Sequence, residues 1–362
     1  MNSNILSKLT IVIPTYNRQS YALRNMRYWS NHGAIVHVLD GSSSAISGLE
    51  LASLGNNICY HHLPISMAER LKVAVDFVVT EYSVMMGDDE FFVPSALESC
   101  ISELDAYPEL VSCMGRCLGF NNSPNGIVGW IAYPEMEDYS ILQDDPMQRM
   151  VAHMNPYTCS TSYAVTRTPV WKMAMSTTCR REFSPFNLIE IQFELVICYQ
   201  GKSKVIPTLL WLRSSENVPI RDLDKMPRDK NYLVEGWWLN SSKKAEHAEF
   251  LKIMSDALAK TDDQVKRVKV SVVQSIDSYV HERLALMTTR SKLRAKVSSL
   301  LPEVIKSILR NLRNRFRPAH KLTNFNSPLS IAAYNLHIRG VEVDFEEVAT
   351  IEANIIAFHN EQ

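Results

Sequence analysis

The sequence predicts an α/β fold: a mainly parallel central sheet flanked by helices, with a helical C-terminal extension. Three observations point there. Short apolar, β-branched runs alternate with helix-length segments as far as residue 215. Three of those runs end in polar clusters, as strands of an open parallel sheet do where ligands gather. From residue 225 onward the pattern turns to helical segments with charged faces.

Taken in order, residues 9–14 form an apolar run closed by Pro14, which suits a strand buried on both faces. Thr15-Tyr16-Asn17-Arg18 then opens a helix. A second run, Ala34 to Leu39, ends at Asp40-Gly41-Ser42-Ser43, a turn-forming cluster fit for the carboxyl end of a parallel strand. A strand over 57–62, a helix over 66–80 and a strand over 82–86 continue the β-α-β alternation. A helix from Pro94 to Ala106 precedes strands over 110–120 and 127–133, and the turn-rich residues 121–126 between them predict a hairpin. Helices follow over 146–154, 169–175 and 186–199, the last ended near Gly201, with strands over 162–166 and 204–213. A boundary between Asn217 and Lys230 divides an α/β domain, 1–225, from a mainly helical region, 226–362.

A chain of 362 residues exceeds what one hydrophobic core usually supports. With 38 basic against 39 acidic residues it carries no global bias toward nucleic acid, and no nucleic-acid partner is expected. The cysteines lack any C-x-x-C spacing. Cys113 and Cys117 stand in a strand-like segment with no second pair to complete a zinc site, so the thiols are read as reduced core residues. Neither a signal-peptide pattern nor a spanning apolar stretch is present, and a cytoplasmic location is expected.

The most telling segment is Val84-Met85-Met86-Gly87-Asp88-Asp89-Glu90, an apolar strand that delivers three carboxylates at its end. Acids gathered at the edge of a core need a counter-charge. A divalent cation, magnesium or manganese, bridging a diphosphate would supply it and stabilise a departing nucleoside diphosphate.

Three motifs in order, Ile13-Pro14-Thr15-Tyr16-Asn17-Arg18, Val38-Leu39-Asp40-Gly41-Ser42-Ser43 and Met86-Gly87-Asp88-Asp89-Glu90 with Pro94 four residues on, resemble the family 2 glycosyltransferases of the GT-A, Rossmann-like fold. The resemblance covers residues 9–215. It implies a nucleotide-sugar-dependent transferase in which Pro14, Thr15, Tyr16 and Arg18 line the nucleotide site and Asp40 hydrogen-bonds the base. By the same resemblance Arg70 stands near the diphosphate, and Asp88 joins the nucleotide site. Counting back from Pro94, Gly87 falls where the family's first metal aspartate would sit, Asp89 takes the second aspartate's place and Glu90 the acid after it. Asp89 and Glu90 are therefore the expected metal ligands.

Inverting members of this family use a carboxylate base at the opening of a helix. Aligning Leu188 to Leu195 on Gly201 puts Glu190 at that base, with Ile189 where a first acid is usual. Glu194, one helical turn later, is its rival. Acceptor and sugar contacts are expected from the aromatic residues between Phe120 and Tyr163, Trp130 and Tyr133 first, with His153 and Arg213 as phosphate contacts. The resemblance implies a nucleoside diphosphate sugar donor, most often UDP-linked, and a glycan or lipid-linked acceptor in bacterial surface polysaccharide synthesis. Two other readings stay open: a degenerate domain serving as a binding or scaffold subunit, motivated by Gly87 and Ile189, and a sugar-phosphate nucleotidyltransferase.

Leu301, Val304, Ile305, Ile308, Leu309, Leu312 and Phe316 follow amphipathic-helix spacing, and Arg290 to Lys321 holds ten basic residues against Glu303 alone. Such a segment suits an anionic membrane surface or a homodimer contact, and both remain open.

Overall fold

The computed structural model describes residues 4–124, 126–185, 187–217, 233–300 and 327–361, with the backbone alone for 287–300. Strand β1 (Leu9–Thr15) lies between β2 (Ile35–Asp40) and β4 (Tyr82–Met85), parallel to both, and β2 carries β3 (Ile58–His62) on its other side, again parallel. Ile11 and Ile13 face one core together with Val36 and Val38, while Val12 and Leu39 face the other. Burial on both faces is why these runs are continuously apolar rather than alternating.

Helix α1 (Gln19–Trp29) joins β1 to β2 across the first face, and α3 (Met67–Phe77) joins β3 to β4 across the second, after a single turn of helix, α2 (Gly48–Leu51). A reciprocal cap starts α3: Ser66 Oγ accepts from the Glu69 N–H at 3.3 Å, and the Glu69 carboxylate accepts from the Ser66 N–H at 3.0 Å. All three parallel crossovers therefore bring β1, β2 and β4 to one edge with their carboxyl ends together.

The chain continues through β5 (Phe91–Phe92) and α4 (Pro94–Ala106), which has proline in its first turn where no N–H is needed. Strands β6 (Leu110–Ser123) and β7 (Gly126–Ala132) form the expected antiparallel hairpin. After β8 (Ser140–Ile141) and α5 (Pro146–His153) comes β9 (Val165–Arg167), which runs antiparallel between β4 and β6 and joins the two halves of the sheet. Helices α6 (Thr168–Thr178) and α7 (Leu188–Gln200) lead to β10 (Lys202–Ser214), parallel to β6 and antiparallel to β5 and β8. The α/β class and the mostly parallel central sheet flanked by helices are as predicted.

The later helices serve both faces. Side chains of α8 (Val234–Trp238), α9 (Lys244–Leu258) and α10 (Asp262–Leu300) share a core with α5, α6 and α7. Strand β11 (Ser327–Pro328) pairs with β7, and α11 (Leu329–His337) and α12 (Phe345–Asn360) bury Leu329, Leu336, Ile351 and Ile355 in the core of α1 and α4. The boundary expected between residues 217 and 230 lies outside the described residues, as does the basic segment at 290–321 beyond its helical backbone to Leu300. No helix among the described residues is long and apolar enough to cross a membrane.

Candidate donor site at the carboxyl ends of the parallel strands

The three polar clusters meet at one edge. After β1 the chain turns sharply at Asn17, whose φ of 54° lies in the left-handed region that asparagine tolerates, and the Asn17 N–H donates to Ser42 Oγ at 2.9 Å. Tyr16 is left exposed on the rim and Pro14 pairs in register with Leu39. Thr15 Oγ1 donates to Asp88 Oδ2 at 2.7 Å, which ties the end of β1 to the acidic loop. Arg18 Nη1 reaches Asp88 Oδ1 at 3.2 Å and Asp89 Oδ2 at 3.4 Å, so one guanidinium spans both carboxylates.

Asp40 is fully buried. Its Oδ1 accepts from the Ser42 N–H at 2.8 Å, and its Oδ2 from Gln19 Nε2 and the Tyr60 hydroxyl, both at 2.6 Å. Burial pushes its carboxyl up, yet the bonds from Ser42, Tyr60 and Gln19 outweigh that and hold it below the usual range, ionised. Arg70 is also buried; its Nη1 donates to the carbonyls of Thr15 and of Leu39, the latter at 2.7 Å. Gly41 permits this, since a Cβ there would lie 2.6 Å from the Arg70 guanidinium carbon. Arg70 thus sits as a fixed positive charge beneath the ends of β1 and β2.

In the acidic loop, burial and the Asp89 charge push Asp88 up to about 6, against Arg18 and Thr15, and burial with Asp89 pushes Glu90 up to about 8, against Arg213 and Trp211. Glu90 Oε2 accepts from Trp211 Nε1 at 3.0 Å. A Cβ at Gly87 would lie 3.0 Å from the Glu90 carboxyl carbon, so Glu90 fills the space that a side chain at 87 would take. Asp89 Oδ2 accepts from Asn217 Nδ2 at 2.8 Å.

Among the described residues no group of three or more His, Cys, Asp or Glu side chains is arranged to hold a metal ion. The donor set nevertheless suits one kind of divalent cation, one that takes most of its shell from water and a ligand's phosphates and only one or two carboxylates from protein. Asp89 and Asp88 are hard oxygen donors at the end of β4, whereas the carboxyl of Glu90, the second ligand expected beside Asp89, is buried and accepts from Trp211.

At the start of α7, the Tyr157 hydroxyl donates to Glu190 Oε1. Glu194 is different. It is fully buried, its Oε1 accepts from the Ser162 N–H at 3.2 Å, and its Oε2 stands 3.2 Å from His153 Nε2 without hydrogen-bond alignment. His153 is equally buried and bonded to Tyr139, which keeps it from any phosphate. Burial opposes protonation of His153, but Cys198, Tyr139 and Glu194 outweigh it and hold the imidazole above its ordinary range. Glu190 is the partly exposed member of the pair.

Trp211 lies between Tyr133 and Tyr163, its ring stacked on theirs at centroid distances of 5.6 and 4.4 Å. The Arg213 guanidinium lies 5.6 Å over Tyr133. Burial pushes the Tyr163 phenol up, with Glu90 and Glu190 both adding, so Tyr163 bridges the acidic loop and the head of α7. Trp130, half-buried on β7, covers Gly119, where a Cβ would meet its ring at 2.2 Å.

Several residues here escape sequence reasoning: Gln19 and Tyr60 around Asp40, and Arg24, Asn25, Glu216 and Asn217 around the acidic loop. Arg24 and Asn25 did leave a signal, as two polar residues between the apolar Ala22-Leu23 and Met26 of a buried stretch of α1.

No protein-family model matches the chain, and no curated protein matches it. Among solved structures it is similar to TarS 1–349 of S. aureus, at 13% identity over 75% of this chain and 89% of that one, with a TM-score of 0.41. The complex of TarS 1–349 with UDP-GlcNAc gives 12% identity, the same coverage and a TM-score of 0.42. The mannosyltransferase PcManGT from Pyrobaculum calidifontis, in complex with GDP-Man and Mn2+, gives 14% identity over 98% of this chain and 86% of that one, with a TM-score of 0.40. Scores of this size leave any functional conclusion to the residues of the cleft.

Proposed function

We propose that the chain is a GT-A glycosyltransferase of the family 2 kind, which moves a sugar from a nucleoside diphosphate sugar to a hydroxyl of a glycan or lipid-linked acceptor, with inversion. The observation that carries this reading is the convergence of Thr15, Arg18, Asp40, Arg70, Asp88 and Asp89 at the carboxyl ends of β1, β2 and β4. A fixed acid for a base edge, buried cations for a diphosphate and paired carboxylates at a strand end are what such a donor requires.

Asp40, held ionised, is the acceptor for N–H groups of the nucleotide base, with Tyr16 on the rim beside it. Arg70 and Arg18 supply positive charge toward the diphosphate. Asp89, with Asp88 and Glu90 as the neighbouring acids, would hold a divalent cation, which would supply charge neutralisation for the departing diphosphate. Glu190 takes the acceptor hydroxyl's proton while that oxygen bonds the anomeric carbon from the face opposite the diphosphate. The anomeric carbon–oxygen bond to the diphosphate breaks, and the nucleoside diphosphate leaves with the electron pair. Trp130 offers a flat face to sugar rings, whereas the ring of Tyr133, the other contact expected, is already stacked on Trp211 and covered by Arg213. The organisation into a catalytic domain to residue 225 and a helical region beyond it, with membrane-surface or dimer contacts through 290–321, belongs to the same reading.

The test combines binding and turnover. Thermal shifts with UDP, GDP and CDP, each with and without Mn2+, should show one metal-dependent diphosphate, because a ligand held only by the folded state raises its melting temperature. Asp89→Ala should lose that shift. Glu190→Gln should keep it while losing release of nucleoside diphosphate from the matching sugar donor. No shift with any nucleotide would remove the donor site; full turnover in Glu190→Gln would remove Glu190 from the chemistry.

A further inference from the structure

Helix α12 reaches the acidic loop through a buried relay of charges. Arg24 on α1 is 4% exposed, and its Nη2 donates to the Asp89 carbonyl at 2.8 Å. The neighbouring Asn25 Nδ2 donates to the Asp88 carbonyl at 2.6 Å, so two consecutive side chains of one helix hold the backbone of both acids. Arg24 Nη1 pairs with Glu216 Oε2 at 3.1 Å, with the two side chains 3% and 2% exposed. The other oxygen of Glu216, Oε1, accepts from His359 Nε2 on α12. Aromatic rings enclose the guanidinium: Tyr21 at 4.9 Å, Phe91 at 4.9 Å and Phe358 of α12 at 4.7 Å.

Glu216 is followed by Asn217, which holds the Asp89 carboxylate. The loop is therefore gripped from two sides, its backbone by Arg24 and its carboxylate by Asn217, and both grips depend on where Glu216 stands. An ion pair this buried is a poor source of stability, because taking both charges out of water offsets their attraction. Its effect is geometric. It sets the position of one turn of chain, and α12 supplies the last member.

We propose that α12 is a strap for the donor site, and that His359 and Phe358, acting through Glu216 and Arg24, are positioning residues for the Asp88-Asp89 loop. The consequence for ligand binding rests on reading that loop as the site of a metal-bound diphosphate; the consequence for the loop's own order does not. His359 touches no ligand in this scheme. It keeps Glu216, and hence Asn217, where Asn217 can hold the Asp89 carboxylate.

Two measurements on the full chain separate these layers. Native-state hydrogen exchange of His359→Ala should speed up by about tenfold or more at residues 87–90 and 214–217, with β1 and β2 unchanged, as for a local opening rather than a global one. His359→Gln, whose amide can still donate to Glu216, should restore wild-type exchange. Unchanged exchange at 87–90 in His359→Ala overturns the strap whatever the protein binds. The second measurement is the affinity of Mn2+ with UDP, expected to weaken about tenfold in His359→Ala and to recover in His359→Gln. If the loop loosens but wild type binds no Mn2+ with UDP, GDP or CDP, the strap stands and the donor-site reading falls. If wild type binds and His359→Ala binds equally well with a loosened loop, the proposed positioning role is wrong.

Discussion

Replacing Asp88 with asparagine should make the protein more stable near neutral pH, by an amount that its surroundings set. Burial raises the Asp88 carboxyl from its ordinary 3.8 to about 6, with the Asp89 charge adding to the rise and Arg18 and Thr15 opposing it. The folded pKa lies above the unfolded one, so the folded protein keeps a proton that the unfolded chain has released. Stability therefore falls as pH rises from about 4 to about 6 and stays reduced above that window. At about 1.4 kcal/mol per pH unit, the full cost is about 3 kcal/mol. Asparagine has no charge to leave buried, and its amide oxygen can still accept from Thr15 or Arg18. Urea unfolding in the presence of a chelator, at roughly pH 3.5 and pH 7.5, should find Asp88→Asn more stable than wild type by about 1 to 3 kcal/mol at the higher pH and nearly equal at the lower. A variant that is less stable at the higher pH, with the wild-type pH slope intact, would refute the buried-charge argument. The loop gives up stability to keep a carboxylate buried.

Trp211→Phe removes the N–H that Glu90 accepts and leaves a buried carboxyl oxygen without that partner. A loss of about 1 to 3 kcal/mol in urea unfolding is expected, and a change within about 0.5 kcal/mol would show that Glu90 finds another donor. Tyr157→Phe deletes the hydroxyl that donates to Glu190. If that bond aims the base, turnover should fall about tenfold, equivalent to about 1.4 kcal/mol of barrier, with Mn2+-dependent nucleotide affinity unchanged; equal losses in both would point to a general disturbance of the cleft.

The site was only partly legible in the chain. Pro14-Thr15-Tyr16-Asn17-Arg18, Asp40-Gly41-Ser42 and Asp88-Asp89-Glu90 stand out because each is a polar group in sequence directly after an apolar run, and the parallel topology carries all three to one edge. Local sequence suffices there, since a parallel strand buried on both faces must be apolar until it emerges. The expected helices over 66–80 and 94–106 were readable for similar reasons, with the Ser66 to Glu69 cap and Pro94 marking their starts.

What the chain by itself determined is the order of elements and which residues could carry charge to the strand ends. What only the tertiary structure decided is the state of each charge. Asp40 is held ionised because Gln19 and Tyr60 come to it from α1 and β3, whereas Glu90, one of three adjacent acids, is pushed up to about 8 by burial beneath Trp211. The distinction between Glu190 and Glu194, one helical turn apart in sequence, comes from burial: Glu194 is sealed against His153 and Glu190 is left partly open. Desolvation and hydrogen bonding arise from contacts between residues far apart in the chain, such as His359 with Glu216 and Asn217 with Asp89. No local pattern encodes those pairings, because each depends on where the fold brings two distant segments together.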